Sequence, residues 1–570
     1  MGRHVVVASL ALALTACSRD RGPPAPDAGE SAARGVVAPP GGLLLEASLR
    51  DPDAAWSRLQ HGAGGAFALL PSSLGEFACA VLGLDQGLGA LVDGHATAYA
   101  IVVQKPPEVA ASMPVANASD VGWVLGLRLN DSGARRMAAL VSASGAFAER
   151  IERGMHIVTR ADPPLPVAVA IARGWLLVAG DERDLLESGP YVVGALPVEG
   201  LPPSPASLVA RAPHVALVGP IAAALSSSWA AARAWMLEQG RSERERHGGR
   251  PPDFGDPEAI VEVLERAARE RLVSIAGARE LRIEAETGID DVTVNLRAVT
   301  GDASASTGDA SASTTGDARP LGEAPADSPL ALLVRDDAEE RVAAAQEITA
   351  SVAQVLGPRL RDAEAREIDA AFEAWGRARG DWMTVGLGGA TGDAFWVRAP
   401  AAREEVASRA IRQVLELSRL PPLRAPLAEW LHRLPVVFGH AGKVGVATFP
   451  AGGAAGQQPA AGVAWKIDAG DVAIAVGATP LERLTVSLSP GVKWADDART
   501  ARVLGGLGDT ASFVAVAQPS RFLGAASLAS APLALALGRH GGEPWARLDI
   551  ADEVIAACVR LAGDASRARP

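Results

Sequence analysis

The chain has 570 residues, of which 48% are hydrophobic, and its formal net charge at pH 7 is −12. This length allows two or three domains, each large enough to bury a core of its own. The acidic balance argues against a nucleic-acid partner and against a polybasic membrane-binding surface, because both require clustered positive charge.

The first 17 residues predict an export signal. Arg3 and His4 precede an apolar run, Val5–Leu14, which would span about 15 Å as a helix. A hydrocarbon core of about 30 Å needs roughly twice that length. The run is therefore typical of a signal peptide rather than of a membrane span, and we expect residues 1–16 to be removed.

The segment Leu14-Thr15-Ala16-Cys17 resembles a bacterial lipobox, in which small residues precede the cleavage site and the cysteine thiol takes a diacylglyceryl group. The resemblance implies lipid attachment at Cys17 and a membrane as the partner of the mature N-terminus. Ser18 in the next position resembles the sorting signal of lipoproteins that go on to the outer membrane. We expect the protein in the bacterial cell envelope, at the outer membrane facing the periplasm or the cell surface.

Residues 17–42 predict a disordered tether, because they are rich in Pro, Gly, Ala and charge and show no periodic apolar pattern. A flexible coil of this length reaches roughly 25–30 Å. After the tether, the sequence has no second unbroken run of 18 or more apolar residues. We therefore expect the lipid to be the only membrane attachment.

Residues 43–299 predict a first α+β domain. Asp256 and Pro257 begin a helix that ends at Gly277. Apolar or alternating segments predict strands, and the last two flank a turn and form a hairpin with one buried face. These strands are Trp123–Leu129, Met155–Thr159, Trp175–Ala179, Leu281–Glu286 and Val292–Val299.

An apolar stripe precedes that helix. We interpret Trp229, Trp235 and Met236 as core, with a partner-binding surface as the alternative. The mixed charges of Gln239–Arg250 predict a solvated helix end or loop.

Residues 300–328 predict a disordered linker. The unit TGDASAS occurs twice from Thr300 and then decays towards Pro320. Such small polar residues cannot bury enough surface to offset the entropy of ordering. A calcium-binding repeat is the alternative, but one Asp in each unit supplies too few oxygen ligands for that cation.

Residues 329–561 predict a second α+β domain, and 562–570 a flexible tail. Val472–Val476 predicts a strand of this domain. Two helical patterns within residues 336–379 have no evident counterpart in the first domain, and we interpret them as a helical insertion.

The two domains resemble each other in three segments that occur in the same order. Each begins with an apolar strand and an acidic helix start, at Leu43 and at Leu330. A later hairpin leads to a strand, a glycine and a short helix, which pairs Gly180 with Gly477. A third match pairs ASLVARAP at Ala206 with ASFVAVAQP at Ala511. We predict a duplicated α+β fold with antiparallel or mixed sheets and packed helices.

No motif predicts a catalytic, metal or cofactor site. The histidines are scattered, and Pro435 separates the nearest pair, His432 and His440. A nucleophile motif GxSxG does not occur. The segment FGHAGKVG departs from a phosphate loop at two contact positions, Val437 and Val444.

Several acidic or mixed motifs also have structural explanations. We interpret Asp290-Asp291 and Asp496-Asp497 as solvated turns rather than as paired catalytic carboxylates, because neighbours in sequence point in different directions. Arg379-Gly380-Asp381 ends a helix and needs no adhesive role.

Cys79 and Cys558 have apolar neighbours and predict two buried small side chains, with a disulfide between the domains as the alternative. The lipobox and the duplicated body resemble those of large uncharacterised exported bacterial lipoproteins, a resemblance that implies no activity. We expect a non-catalytic envelope lipoprotein that binds or scaffolds a protein partner. A carrier of lipid or another hydrophobic ligand and an anchored hydrolase are the alternatives.

Overall fold

The computed structural model describes most of residues 37–555. Residues 1–36 and 556–570 lie outside the described part, and with them the predicted signal peptide, Cys17, most of the tether and the predicted tail. Internal ranges outside it are 64–69, 82–85, 106–120, 132, 134, 138, 140–146, 161–164, 166, 247–255, 289–290, 301–315, 389–393, 402, 424–435, 449–461, 489–492, 508–510, 521–531 and 541–542.

The chain forms two compact units, and each combines helices with antiparallel strands. The predicted α+β class is therefore confirmed. The first unit comprises residues 1–228, 274–301 and 548–570, and the second comprises 229–273 and 302–547. The predicted domain boundaries, 43–299 and 329–561, are drawn from the sequence repeat, whereas the two units are defined by their compactness. The boundaries therefore stay a prediction.

The first sheet has the strand order β4-β5-β6-β7-β3-β2-β1-β8-β9-β10. The predicted strand Trp175–Ala179 has the same bounds as β7. The strands are β1 Leu43–Leu49, β2 Ala98–Gln104, β3 Val121–Arg128, β4 Phe147–Glu152, β5 Met155–Arg160, β6 Ala168–Ala172, β7 Trp175–Ala179, β8 Leu208–Pro213, β9 Glu280–Thr287 and β10 Asp291–Val299.

The second set of strands has the order β14-β15-β16-β17-β13-β12-β11-β18-β19-β20. Adding ten to each strand number of the first sheet gives this order. The strands are β11 Leu330–Arg335, β12 Trp382–Gly388, β13 Ala394–Pro400, β14 Val437–Ala441, β15 Val444–Thr448, β16 Gly462–Asp468, β17 Asp471–Gly477, β18 Ala511–Ala517, β19 Leu533–His540 and β20 Glu543–Ala551.

The common order is what the predicted duplication requires. The register agrees at the third match, because Leu49 pairs with Leu208 while Val334 pairs with Phe513, which aligns Ala206 with Ala511. Gly477, by contrast, lies one residue further from the turn of its hairpin than Gly180 does. The duplication itself stays a prediction that this topology supports.

The helices lie between the strands at similar places in both sets. Helices α9 and α10 follow the first strand of the second set, and α1 to α3 follow the first strand of the first set. The helices are α1 Pro52–Ala63, α2 Leu74–Val81, α3 Gln86–Gly89, α4 Glu182–Gly194, α5 Leu196–Glu199, α6 His214–Arg246 (with a π-helical turn at Leu217–Ile221), α7 Pro257–Ala276, α8 Arg319–Gly322, α9 Ala338–Leu356, α10 Asp362–Ala378, α11 Glu404–Glu416, α12 Pro480–Leu488 and α13 Ala498–Gly506.

The helices within 336–379 are therefore not an insertion special to the second domain, and that prediction is wrong. The first domain has helices at the same place in its strand order. Helix α1 follows the acidic helix start that the sequence indicates, whereas α2 and α3 are short and rich in Ala and Gly, so they show no apolar periodicity. The long extra segment is instead the connection between β8 and β9, which holds α6 and α7.

The core of the first unit lies on both faces of its sheet. Leu176 and Val178 of β7 pack into one cluster with helix α1, and Leu177 and Ala179 pack into another with helix α4. The alternation of side chains along a strand puts these two sets on opposite faces. Burial on both faces explains why β7 is apolar at every position, WLLVA.

Two-residue turns join β6 to β7 and β16 to β17. Arg173 and Gly174 form the first turn, and Ala469 and Gly470 the second, and all four residues have positive φ. Such turns match the twist of a hairpin, and glycine adopts this conformation at little cost.

The predicted linker 300–328 is corrected at its end. Residues 301–315 lie outside the described part, but Ala318, Leu321 and Ala324 are fully buried, with helix α8 among them. The repeat of small polar residues stops at Gly316. After it, the apolar residues supply enough buried surface to hold the segment on the second unit.

Candidate functional site

The sequence predicts one site residue, Cys17, which lies outside the described residues. Cys79 is fully buried among apolar side chains of the first unit. Cys558 also lies outside the described residues, so the disulfide between the domains stays an untested alternative.

Most of the rejected motifs have structural roles. FGHAGKVG forms β14, a turn at Gly442 and β15, rather than a strand followed by a helix. Asp497 caps helix α13 by accepting hydrogen bonds from Thr500. Arg379 is buried after the end of α10 and forms an ion pair with Asp336 at 2.5 Å.

The histidines of the described residues do not gather into one site. His440 is exposed, with its Nε2 2.8 Å from Arg412, and His432 lies outside the described part. Among the described residues, no group of three or more His, Cys, Asp or Glu side chains could hold a metal ion.

A cluster of two acids and a lysine lies where β2 and β7 end and β3 begins. Asp181 caps helix α4 by accepting a hydrogen bond from the N–H of Asp184 at 2.8 Å, and its carboxylate also binds Lys105. The buried carboxylate of Asp184 lies 3.3 Å from the same Lys105 ammonium. Gly122 leaves room for Asp184, because a Cβ there would lie 2.3 Å from the carboxylate.

The two carboxyl groups of this cluster have opposite pKa shifts. Burial and the charge of Asp181 raise the pKa of Asp184. Burial opposes ionisation of Asp181 too, but hydrogen bonds from Lys105 and from the N–H of Asp184 hold the pKa of Asp181 below its ordinary value. Divergent acids of this kind occur in catalytic sites. Here they fix a lysine to the first turn of a helix.

A second polar cluster crosses the first sheet at Glu46. The buried Glu46 carboxylate accepts hydrogen bonds from the hydroxyl of Tyr191 at 2.5 Å and from Nε of Arg211 at 3.0 Å. Burial and the Glu46 carboxylate raise the pKa of Tyr191 far above its ordinary range. This group joins β1, β8 and helix α4, and it ties a buried charge to its counter-ion.

An exposed dyad lies at the start of helix α1. Asp51 has a φ of 47°, and its carboxylate lies 3.1 Å from Nδ1 of His95. The hydrogen bond and charge of Asp51 raise the pKa of His95. The nearby Asp53 accepts a hydrogen bond from the N–H of Leu74, and burial raises its pKa.

A small pocket in the second unit encloses about 240 Å³, open solvent included. Trp396 lies in its wall and donates a hydrogen bond to Ser328 at 2.9 Å. Arg483 and Asp327 form an ion pair across it at 2.6 Å. The cavity that a water-sized molecule can occupy is only about 10 Å³, close to what one water molecule needs, so this pocket accommodates only a few atoms.

Helix α6 is apolar, and little of it is buried in the described part of the chain. By length and composition, it is one helix that could cross a membrane, with a mean hydropathy of 1.5 over its 18-residue window, of which 11% is buried. Gly219, Pro220 and three serines interrupt the apolar residues of this helix, so it is not an unbroken apolar run. The expectation that lipid is the only membrane attachment stays a prediction.

The predicted core stripe on α6 is corrected. Trp235 is 64% exposed, while Trp229 and Met236 are half-buried. Periodicity identifies an apolar face but does not tell whether another element covers it. The alternative prediction, an exposed binding surface, fits Trp235 better.

Comparison with known proteins does not assign the chain to a family. No family model matches the chain, and no curated protein matches it. Solved structures of TP0453, a Treponema protein, in its crystal forms I and III are similar over 42% of this chain and 96% of theirs, at 10% and 9% identity. Their TM-scores of 0.20 and 0.19 are too low to establish a shared fold.

Proposed function

We propose that the protein is an envelope lipoprotein, held on a membrane by lipid on Cys17, that binds or scaffolds a partner without catalysing a reaction. The segment Leu14–Cys17, directly after an apolar run of signal-peptide length, carries the proposal. Ser18 supports location at the outer membrane, facing the periplasm or the cell surface.

The polar clusters of the first unit support a structural rather than a catalytic role for its buried charges. Glu46 is bound to Arg211 and Tyr191, and Asp184 lies beside Lys105 and the capped start of α4. Each acid thus has a partner within the fold. Loss of either acid should lower stability, because the half-buried cation beside it, Arg211 or Lys105, would lose its counter-ion.

The lipid anchor is tested by replacing Cys17 with serine, which cannot form the thioether. We expect the parent chain to incorporate labelled glycerol and to sediment with membranes. The Cys17→Ser variant should incorporate no label and should accumulate uncleaved or in the soluble fraction. Density fractionation of the parent then separates inner from outer membranes.

Cys558→Ser is the matched control, because it removes a cysteine without touching the lipobox. It should behave as the parent does. If Cys17→Ser still incorporates label, or Cys558→Ser loses it, the lipid is not on Cys17 and the proposal fails.

A further inference from the structure

The first part of helix α6 has no charge, and apart from Ala216 and Leu217, which are buried, most of it is exposed or half-buried. Residues 215–232 contain no Asp, Glu, Lys or Arg. Val215 is 75% exposed and Leu225 is 41% exposed, and all of 223–228 are exposed. Six consecutive residues point in every direction around a helix, so the exposure is not confined to one face. An uncharged helix exposed on all sides is unusual in water.

The residues change along the helix as they do at a membrane surface. Trp229 lies near the end of the uncharged window, Arg233 and Trp235 follow it, and the mixed charges of 238–246 come next. Indole side chains favour the boundary between hydrocarbon and water. The sequence thus passes from an apolar segment through an aromatic zone to a solvated end.

The topology of the first unit rules out a single crossing. β8, which leads into α6, pairs with β9, which follows α7, and Pro213 lies opposite Glu280. The chain must therefore return to the side from which it left. Helix α7 cannot serve as a returning span, because acidic and basic residues occur throughout it.

We propose that α6 inserts shallowly into a bilayer, at the boundary between headgroups and acyl chains, as a second membrane contact beside the lipid on Cys17. This inference rests on the proposed function only in that the lipid keeps a membrane close to the folded units. A helix is about 10 Å across, and shallow insertion buries about 5–10 Å. Most of the helix surface would then leave the water, as its uncharged surface requires.

The chemistry favours lipid over a protein partner. A protein groove covers one face of a helix and leaves the opposite face in water, whereas residues 223–228 are exposed on all faces. The window also has no charge that a partner could pair with. Binding should therefore need no anionic lipid and should change little with salt.

The test uses residues 18–570, a chain that has neither the leader nor Cys17. We expect it to float with phosphatidylcholine vesicles, with or without phosphatidylglycerol. Leu225→Glu and Trp235→Glu each place a charge at an exposed position of α6, where they should not disturb the fold. Each should lower the bound fraction at least about tenfold, because a charge in this region is costly to insert.

Ile348→Glu is the matched control, because Ile348 is 43% exposed on another helix, α9. It should float as the parent does, and circular dichroism should show all variants folded. If the parent stays unbound, or if all variants float equally, the proposal is overturned. A dimer that Leu225→Glu disperses would assign α6 to a second copy of the chain. Because the test chain has no Cys17, such failures leave the lipid anchor standing.

Discussion

The connection between β8 and β9 and the one between β18 and β19 occupy equivalent places in two sets of strands with the same order. The first runs from residue 214 to 279 and contains α6 and α7. The second runs only from 518 to 532, less than a quarter of that length. Since the shorter connection accompanies the same strand order, the sheet does not need the longer one in order to form.

This difference separates scaffold from addition. The strands of both sets bury apolar side chains, whereas α6 leaves most of its uncharged window outside the core. Segments that carry no scaffold role are free to acquire a binding surface. The long connection is therefore where we place the membrane contact.

The largest expected effect contrasts a scaffold leucine with one on α6. Leu177 is fully buried and Leu225 is 41% exposed. Leu177→Ala should lower the free energy of unfolding by about 2–5 kcal/mol, since it leaves a cavity. Leu225→Ala should change it by less than about 0.5 kcal/mol. Urea denaturation measures both, and a cost for Leu225→Ala as large as for Leu177→Ala would make α6 part of the core.

A cut in the linker tests whether the long connection belongs to the second unit. The backbone N–H of Asp256 donates a hydrogen bond to the carbonyl of Val355 in α9, and the side-chain amide of Gln354 donates one to the carboxylate of Glu262 in α7. Together with the hydrogen bond from Thr293 of β10 to Asp549 of β20, these bonds should make the two pieces elute together in size-exclusion chromatography after cleavage within residues 301–315. Pieces that separate in native buffer would show that α7 is not held in this way.

The smallest expected effect is a pH dependence at the start of helix α4 that the start of the corresponding helix α12 lacks. Asp181 precedes helix α4 and binds Lys105, while Thr479 precedes the corresponding helix α12. The pKa of Asp181 in the folded protein is below its ordinary value. The ionised carboxylate therefore adds its full stability at pH values above the ordinary pKa, and this stability is lost as the pH falls through the folded pKa.

Asp181→Asn keeps a helix cap but removes the charge. At pH 7 it should cost about 0.5 kcal/mol, a small figure because Asp181 is almost half exposed. The cost should shrink near pH 3, while that of Thr479→Ala should not vary with pH. If Asp181→Asn lowers the free energy of unfolding equally at both pH values, the charge of Asp181 makes no contribution, and the starts of α4 and α12 do not differ in this way.

Patterns of residues near one another in sequence predicted the scaffold well. The bounds of β7 follow from a short continuous apolar run, and the hairpin of β9 and β10 follows from alternating polarity. Helix α7 follows from its cap at Asp256 and its stripe. Contacts between distant residues could not be predicted. Glu46 and Arg211 are 165 residues apart, and the one sequence signal was a lone acid in an apolar strand.

The nature of α6 also could not be predicted from its sequence. The sequence pattern of an apolar helix is the same whether the helix is covered or exposed. The pairing of β8 with β9 is what shows that the chain returns to the side from which it left. Small and polar residues within the window further lowered its apparent hydrophobicity. The part of the molecule to which we assign a function was therefore the part that periodicity described least well.

The most direct test of that assignment is the depth of α6 in a bilayer. A nitroxide is attached at Ser227→Cys in residues 18–570 with Cys558→Ser, and its accessibility to a water-soluble relaxation agent and to oxygen is compared with and without phosphatidylcholine vesicles. We expect vesicles to lower access to the water-soluble agent and raise access to oxygen, at a depth of about 5–10 Å below the surface. The same label at Ile348→Cys is the control, and vesicles should not change its accessibility. If vesicles also leave the accessibility of the label at Ser227→Cys unchanged, membrane contact by α6 is contradicted.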